Sequence, residues 1–140
     1  MYGKVHHIGI GVKDLEKTIQ TYQDVLGVPL EKKIDWSHLG LKAALFLIGD
    51  TRLEFIEPIK PTGEIPQSLA EAVQVKDGMV HHLCLSVDNI EEAVQSLKAK
   101  GVKMINQEPL KAAGGKVAWL GKDAVDGFMI ELCEKDYEIR

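Results

Sequence analysis

The chain has 140 residues, 45% of them hydrophobic, which suits one compact domain with a single shared core. Its formal net charge of −4 and pI near 5.7, with no lysine or arginine block, argue against nucleic acid or an anionic membrane as the partner. The longest apolar run, Ala43 to Ile48, is too short to span a bilayer, no signal-peptide pattern opens the chain, and two cysteines without metal-type spacing fit reduced thiols in a cytoplasmic protein.

A short strand through His7 to Val12 comes first, with apolar residues at alternate positions. Asp14 then reads as an N-cap, and Leu15, Ile19, Tyr22 and Leu26 recur at helical spacing until Gly27, predicting a helix over 15–26. Strands are predicted at 29–36, 42–48 and 52–57, followed by a connecting helix over 66–74 that starts at Pro66. The pattern then restarts. A strand through His82 to Val87 leads into a helix over 90–100, opened by the capping-box-like pair Asn89 and Glu92 and stopped by Gly101. Strands are predicted at 102–107, 116–120 and 127–133, and 109–116 reads as a flexible loop able to offer N–H groups and lysine charge to an anion.

The restart is an internal repeat at an offset of 75 residues, with VHHIGIGVKDLEKTIQ from Val5 lying over VHHLCLSVDNIEEAVQ from Val80. His7 aligns with His82. Further on, LEFIEP from Leu53 lies over IELCEK from Ile130, aligning Glu54 with Glu131 and Glu57 with Glu134. Two β-α-β-β-β modules follow, over about 4–60 and 79–135, joined by the helix-bearing segment 61–78 within one domain.

Strand parity separates core from site. Ile8, Ile10 and Val12 share a helix-facing side, and Leu83, Leu85 and Val87 do the same in the second copy. His7, Gly9 and Gly11, like His82, Cys84 and Ser86, fall on the other side, where small residues leave space. Glu54 and Glu131 each interrupt an apolar strand, and a carboxylate there needs a partner. His7, Glu54, His82 and Glu131 make an N2O2 set suited to one divalent cation. Its donors fit cobalt, manganese, nickel or zinc, and leave coordination positions for substrate. His6 and His81 fall on the helix-facing parity and read as structural. Cys84 and Cys133 read as small buried thiols, and Glu57 and Glu134 as solvent-facing strand ends.

These segments, with EPLKAAGGKVAWL and GFMIEL, resemble the vicinal oxygen chelate (glyoxalase/bleomycin resistance/dioxygenase) superfamily over residues 5–134, and within it most the methylmalonyl-CoA epimerases. The resemblance implies an α+β fold in which two tandem βαβββ modules form a curved mixed sheet around one metal, with His7, Glu54, His82 and Glu131 as ligands. It also implies a homodimer and a small-molecule acyl-CoA thioester substrate, epimerised at C2 by proton removal and return through an enolate, with Glu131 as a base. Some similar epimerases carry a second glutamate where this chain has Ala43. Lys42, Glu54 or a water are the stand-ins available there, and Gly121-Lys122-Asp123 replaces an H-P-K segment.

Glyoxalase I (lactoylglutathione lyase) has the same ligand pattern and is the rival reading. Glu57-Pro58 and the helical connection favour the epimerase. A ring-cleaving dioxygenase would use two histidines and one carboxylate, so Glu54 counts against it. A metal-free drug-binding member would not need all four ligand residues.

Overall fold

A computed structural model describes residues 1–125 and 129–140. The elements run β1 (Tyr2–Gly11), α1 (Leu15–Asp24), β2 (Lys32–Trp36), a 3-10 turn (Ser37–Leu39), β3 (Leu41–Ile48), β4 (Thr51–Pro58), α2 (Glu64–Val75), β5 (Met79–Val87), α3 (Ile90–Ala99), β6 (Leu110–Ala112), β7 (Gly115–Trp119) and β8 (Met129–Glu134). The fold is mixed α+β, with three helices among the described residues and both parallel and antiparallel strand pairs. Among the described residues no helix is long and apolar enough to cross a membrane. The chain divides into two compact units, one contiguous (Ile8–His81) and one split (Met1–His7 with His82–Arg140).

In the contiguous unit β3 lies between β2 and β4 in antiparallel register, with Leu45 opposite Glu54 and Ala43 opposite Ile56. Asp14 caps α1 by accepting from the backbone N–H of Lys17, and the helix lays Leu15, Ile19 and Tyr22 onto Val12, Ala44, Phe46 and Phe55. Tyr22 and Phe55 meet with ring centroids 4.7 Å apart, inside the range for favourable aromatic contact. Since Leu53 and Phe55 join that core, Glu54 points to the opposite face of β4. The connecting helix begins two residues before Pro66 and buries Leu69 and Val73. It also fills the space expected beside Gly11, where an added Cβ would come within 2.6 Å of Val73. That glycine accommodates a helix, not a ligand.

In the split unit β5 runs parallel to β8, with His82 opposite Met129 and Cys84 opposite Glu131. β7 lies antiparallel to β8, and β6 to β7. Asn89 caps α3 by accepting from the backbone N–H of Glu92, and Ile90, Ala93 and Val94 pack on Leu83, Leu85, Val87, Leu120, Ile130 and Leu132. The first residues are fixed to this unit as well. The N-terminal ammonium lies 3.2 Å from Asp88, and the Lys4 N–H donates to Ser86 Oγ at 2.9 Å.

Two expected elements differ. The strand predicted at 102–107 is reduced to an isolated bridge between Met104 and Leu120. The Trp119 N–H, which a strand partner's carbonyl would accept, donates instead to the Asn106 side chain at 3.0 Å, so the ladder does not propagate. The predicted loop 109–116 is a tight hairpin between β6 and β7. Ala113-Gly114 makes its turn, with Gly114 at φ 74°, a conformation glycine adopts without steric cost. Part of the strand predicted at 127–133 lies outside the described residues, and β8 is described from Met129.

Candidate metal centre

Three of the four expected ligand residues meet in the split unit. His7 comes from β1, His82 from β5 and Glu131 from β8, the two strands β5 and β8 being adjacent and parallel. His7 Nε2 stands 3.2 Å from His82 Nε2 and 3.1 Å from Glu131 Oε1. The residues are 1%, 3% and 5% exposed. The two imidazoles meet edge to face, with centroids 5.2 Å apart. The Trp119 ring closes against His82 at 4.8 Å, from a position opposite Glu131 in the β7–β8 register. Trp119 had no part in the ligand pattern read from the sequence. Its signal was its place on the strand that pairs with the Glu131 strand.

Whether this group fits a cation turns on Glu131. Its Oε1 is fully buried and accepts no hydrogen bond among the described residues, the 3.1 Å approach of His7 lacking hydrogen-bond geometry. A buried carboxylate oxygen left so costs several kcal/mol by order of magnitude, and a cation removes that cost. The spacing agrees. Donors bound at about 2.1 Å and at right angles to one another stand roughly 3 Å apart, close to the separations at His7. Two imidazole nitrogens and a carboxylate oxygen, all within 4.8 Å of one another, form a group able to hold a divalent ion.

Glu54, the fourth expected ligand, belongs to the contiguous unit, where it is buried on the face of β4 opposite the α1 core. Leu45 and Ala43 share that face by register, and Ala43 is completely buried. Lys42 occupies the other face. It stands opposite Glu57 in register, with its ammonium 3.9 Å from the Glu57 carboxylate, so it is turned away from Glu54.

The remaining polar residues divide differently from expectation. His81 does face a helix, its Nε2 lying 2.8 Å from Ser68 Oγ on α2. His6 does not. Its Nδ1 is 2.9 Å from His7 Nδ1 and its Nε2 is 2.9 Å from the Tyr137 carbonyl oxygen, so strict alternation fails between the two histidines. Glu57 and Glu134 are bonded to backbone, not left to solvent, Glu57 accepting from Leu15 N–H and Glu134 from Lys116 N–H, both at 2.8 Å. Cys84 and Cys133 are buried thiols grouped with Val117 and Tyr137. Burial above all, then hydrogen bonding with Cys133 and the nearby Glu131 charge, pushes the Cys84 thiol far up, which keeps it protonated.

The family described as Glyoxalase/Bleomycin resistance protein/Dioxygenase superfamily matches residues 6–119. The mitochondrial methylmalonyl-CoA epimerase of Mus musculus is 32% identical over 131 residues, covering 93% of this chain and 72% of that protein. A hypothetical protein from Bacillus halodurans C-125 has a crystal structure that superposes with a TM-score of 0.81 at 33% identity, covering 98% of this chain and 97% of that one. An engineered variant of the Streptomyces coelicolor methylmalonyl-CoA epimerase, solved with 2-nitronate-propionyl-CoA, shares the fold with a TM-score of 0.82 at 19% identity, over 99% of this chain and 100% of that one. Fold, sequence and the buried histidine–glutamate group therefore agree: the chain belongs to the Glyoxalase/Bleomycin resistance protein/Dioxygenase superfamily, as an epimerase-like isomerase most like the methylmalonyl-CoA epimerases.

Proposed function

We propose that the protein is a cytoplasmic, homodimeric, metal-dependent epimerase that inverts C2 of methylmalonyl-CoA. The carrying observation is the buried group of His7, His82 and Glu131 in a chain 32% identical to the mouse epimerase over 93% of its length. A divalent ion (cobalt, manganese, nickel or zinc), held by His7, Glu54, His82 and Glu131, would supply the positive charge that makes the proton between thioester and carboxylate acidic.

The chain's own residues account for the proton. Glu131 has a second carboxylate oxygen to receive it from one face of C2. On the other face Ala43 has no acid to offer and Lys42 is turned toward Glu57, which leaves Glu54 or a water to return it. The walls formed by Trp119 and the buried strands restrict water around the group, which strengthens every charge interaction within it.

The test is exchange of the C2 proton of methylmalonyl-CoA in deuterated water, using chelator-stripped protein with and without cobalt. Exchange with inversion, dependent on cobalt, is expected. No exchange by folded, cobalt-loaded protein would overturn the reading, and conversion of the methylglyoxal–glutathione hemithioacetal by that same protein would assign it to glyoxalase I.

A further inference from the structure

Beside the candidate metal group lie polar side chains that the proposed reaction does not use. His6 Nε2 is 2.9 Å from the backbone oxygen of Tyr137. A carbonyl oxygen only accepts, so His6 carries a proton on Nε2, and in the neutral ring Nδ1 is then an acceptor. The 2.9 Å contact between the two Nδ1 atoms therefore takes its proton from His7. A neutral His7 protonated at Nδ1 presents its lone pair at Nε2, the atom 3.1 Å from Glu131 Oε1 and 3.2 Å from His82 Nε2.

The opposite polarity would need a doubly protonated His6, with both ring nitrogens donating from a side chain only 4% exposed. Burying that extra charge costs several kcal/mol by order of magnitude, which selects the first polarity. Both ring nitrogens of His6 are thereby committed. The grouping of His6 with Cys84 and Cys133, whose donor atoms also lie within 4.8 Å of one another, is for that reason not a second metal site.

We propose that His6 is a positioning residue that, anchored by the Tyr137 carbonyl, locks His7 in the tautomer protonated at Nδ1 and so aims the Nε2 lone pair at the ion. The proposal rests on the metal reading above. In the second copy the counterpart of His6 is His81, whose Nε2 lies against a side-chain hydroxyl, that of Ser68, where His6 Nε2 lies against a backbone carbonyl. A ligand histidine whose other ring nitrogen donates to a fixed acceptor is held in both orientation and tautomer, and loss of such a partner weakens metal affinity about 10–100-fold.

Two measurements test it. In isotope-labelled, chelator-treated wild-type protein, long-range proton–nitrogen correlation spectra are expected to show His7 protonated at Nδ1; protonation at Nε2 overturns the proposal. Cobalt binding is then measured by calorimetry for wild type, for His6→Phe, which keeps a ring without an acceptor, and for His6→Gln, which restores one. His6→Phe is expected to lose about 10–100-fold in affinity, and His6→Gln to recover most of it. Wild-type affinity in folded His6→Phe overturns the proposal and leaves the metal site standing. Failure of the wild-type protein to bind cobalt overturns the metal site and the proposal with it.

Discussion

The carboxylate of Glu57, near the end of β4, accepts a hydrogen bond from the backbone N–H of Leu15 at 2.8 Å, so the first turn of α1 is held by a distant residue as well as by its own cap, Asp14. The orphan N–H groups of a first helical turn are what such acceptors satisfy. Glu57→Ala is expected to lower stability by about 1 kcal/mol, as loss of a cap does. A urea midpoint that falls with an unchanged slope is the expected result, and an unmoved midpoint would show the bond to be energetically idle.

Gly40 ends the 3-10 turn at φ 70°, and a Cβ built there would lie 1.7 Å from the backbone oxygen of Lys60. The same glycine's carbonyl accepts from the N–H groups of Ile59 and Lys60. Neither backbone can yield without breaking those bonds. Gly40→Ala is expected to cost at least about 2 kcal/mol, combining left-handed strain with a backbone clash. Thermal unfolding near that of wild type would contradict this local geometry.

Glu131→Gln removes the proposed base while keeping side-chain shape. C2 proton exchange is expected to fall by at least about 100-fold, the lower range for a positioned acid or base. Near-normal exchange in cobalt-loaded variant protein would remove Glu131 from the proposed chemistry.

Binding of an ion to the folded chain alone raises stability. At a free cobalt concentration of 100 times Kd, the gain expected is about 2.7 kcal/mol. In His82→Ala, calorimetric scans at the same cobalt concentration are expected to show much less of it, each scan being read against the metal-free form of the same variant, which the lost packing on Trp119 lowers in its own right. A full cobalt-dependent shift in that variant would show His82 is not a ligand.

A surface pair gives a pH signature. The Lys116 side chain donates to Glu91, and that hydrogen bond holds the Glu91 carboxylate below its ordinary value of 4.5. The folded value being the lower one, the pair's contribution is complete above the unfolded value and is lost as pH falls through the folded one. Both partners are exposed, so the effect on global stability is slight. The direct observable is the Glu91 titration itself, followed by carboxyl carbon NMR, which Lys116→Met is expected to return to the ordinary range. Identical titrations in both proteins would show the pair absent in solution.

The repeat and the strand alternation make the meeting of His7, His82 and Glu131 legible in the sequence, because a period of two assigns each side chain to a face and duplication places two histidines alike. Helix starts were legible for a local reason as well, Asp14 and Asn89 each capping the turn they precede. What escaped was non-local. Asn106 taking the Trp119 amide, Glu57 reaching Leu15, and α2 filling the space beside Gly11 all depend on residues far apart in the chain. His6 escaped because its ring lies against that of His7, where alternation would send the two to opposite faces. The hairpin turn at Ala113-Gly114 has a local signal, its glycine, but the pairing of the two flanking segments into β6 and β7 does not show in a stretch that reads as a flexible loop.

The division of the chain has a consequence for synthesis. Ile8–His81 is one unbroken stretch, complete once its last residue has left the ribosome, whereas the unit carrying His7, His82 and Glu131 joins residues that precede that stretch to residues that follow it. Chains emerge N-terminus first, and compact units form in that order. His7 is thus made before that stretch and His82 and Glu131 after it, so the three can meet only once the stretch between them exists. The order of synthesis puts the contiguous unit ahead of the group proposed to hold the ion.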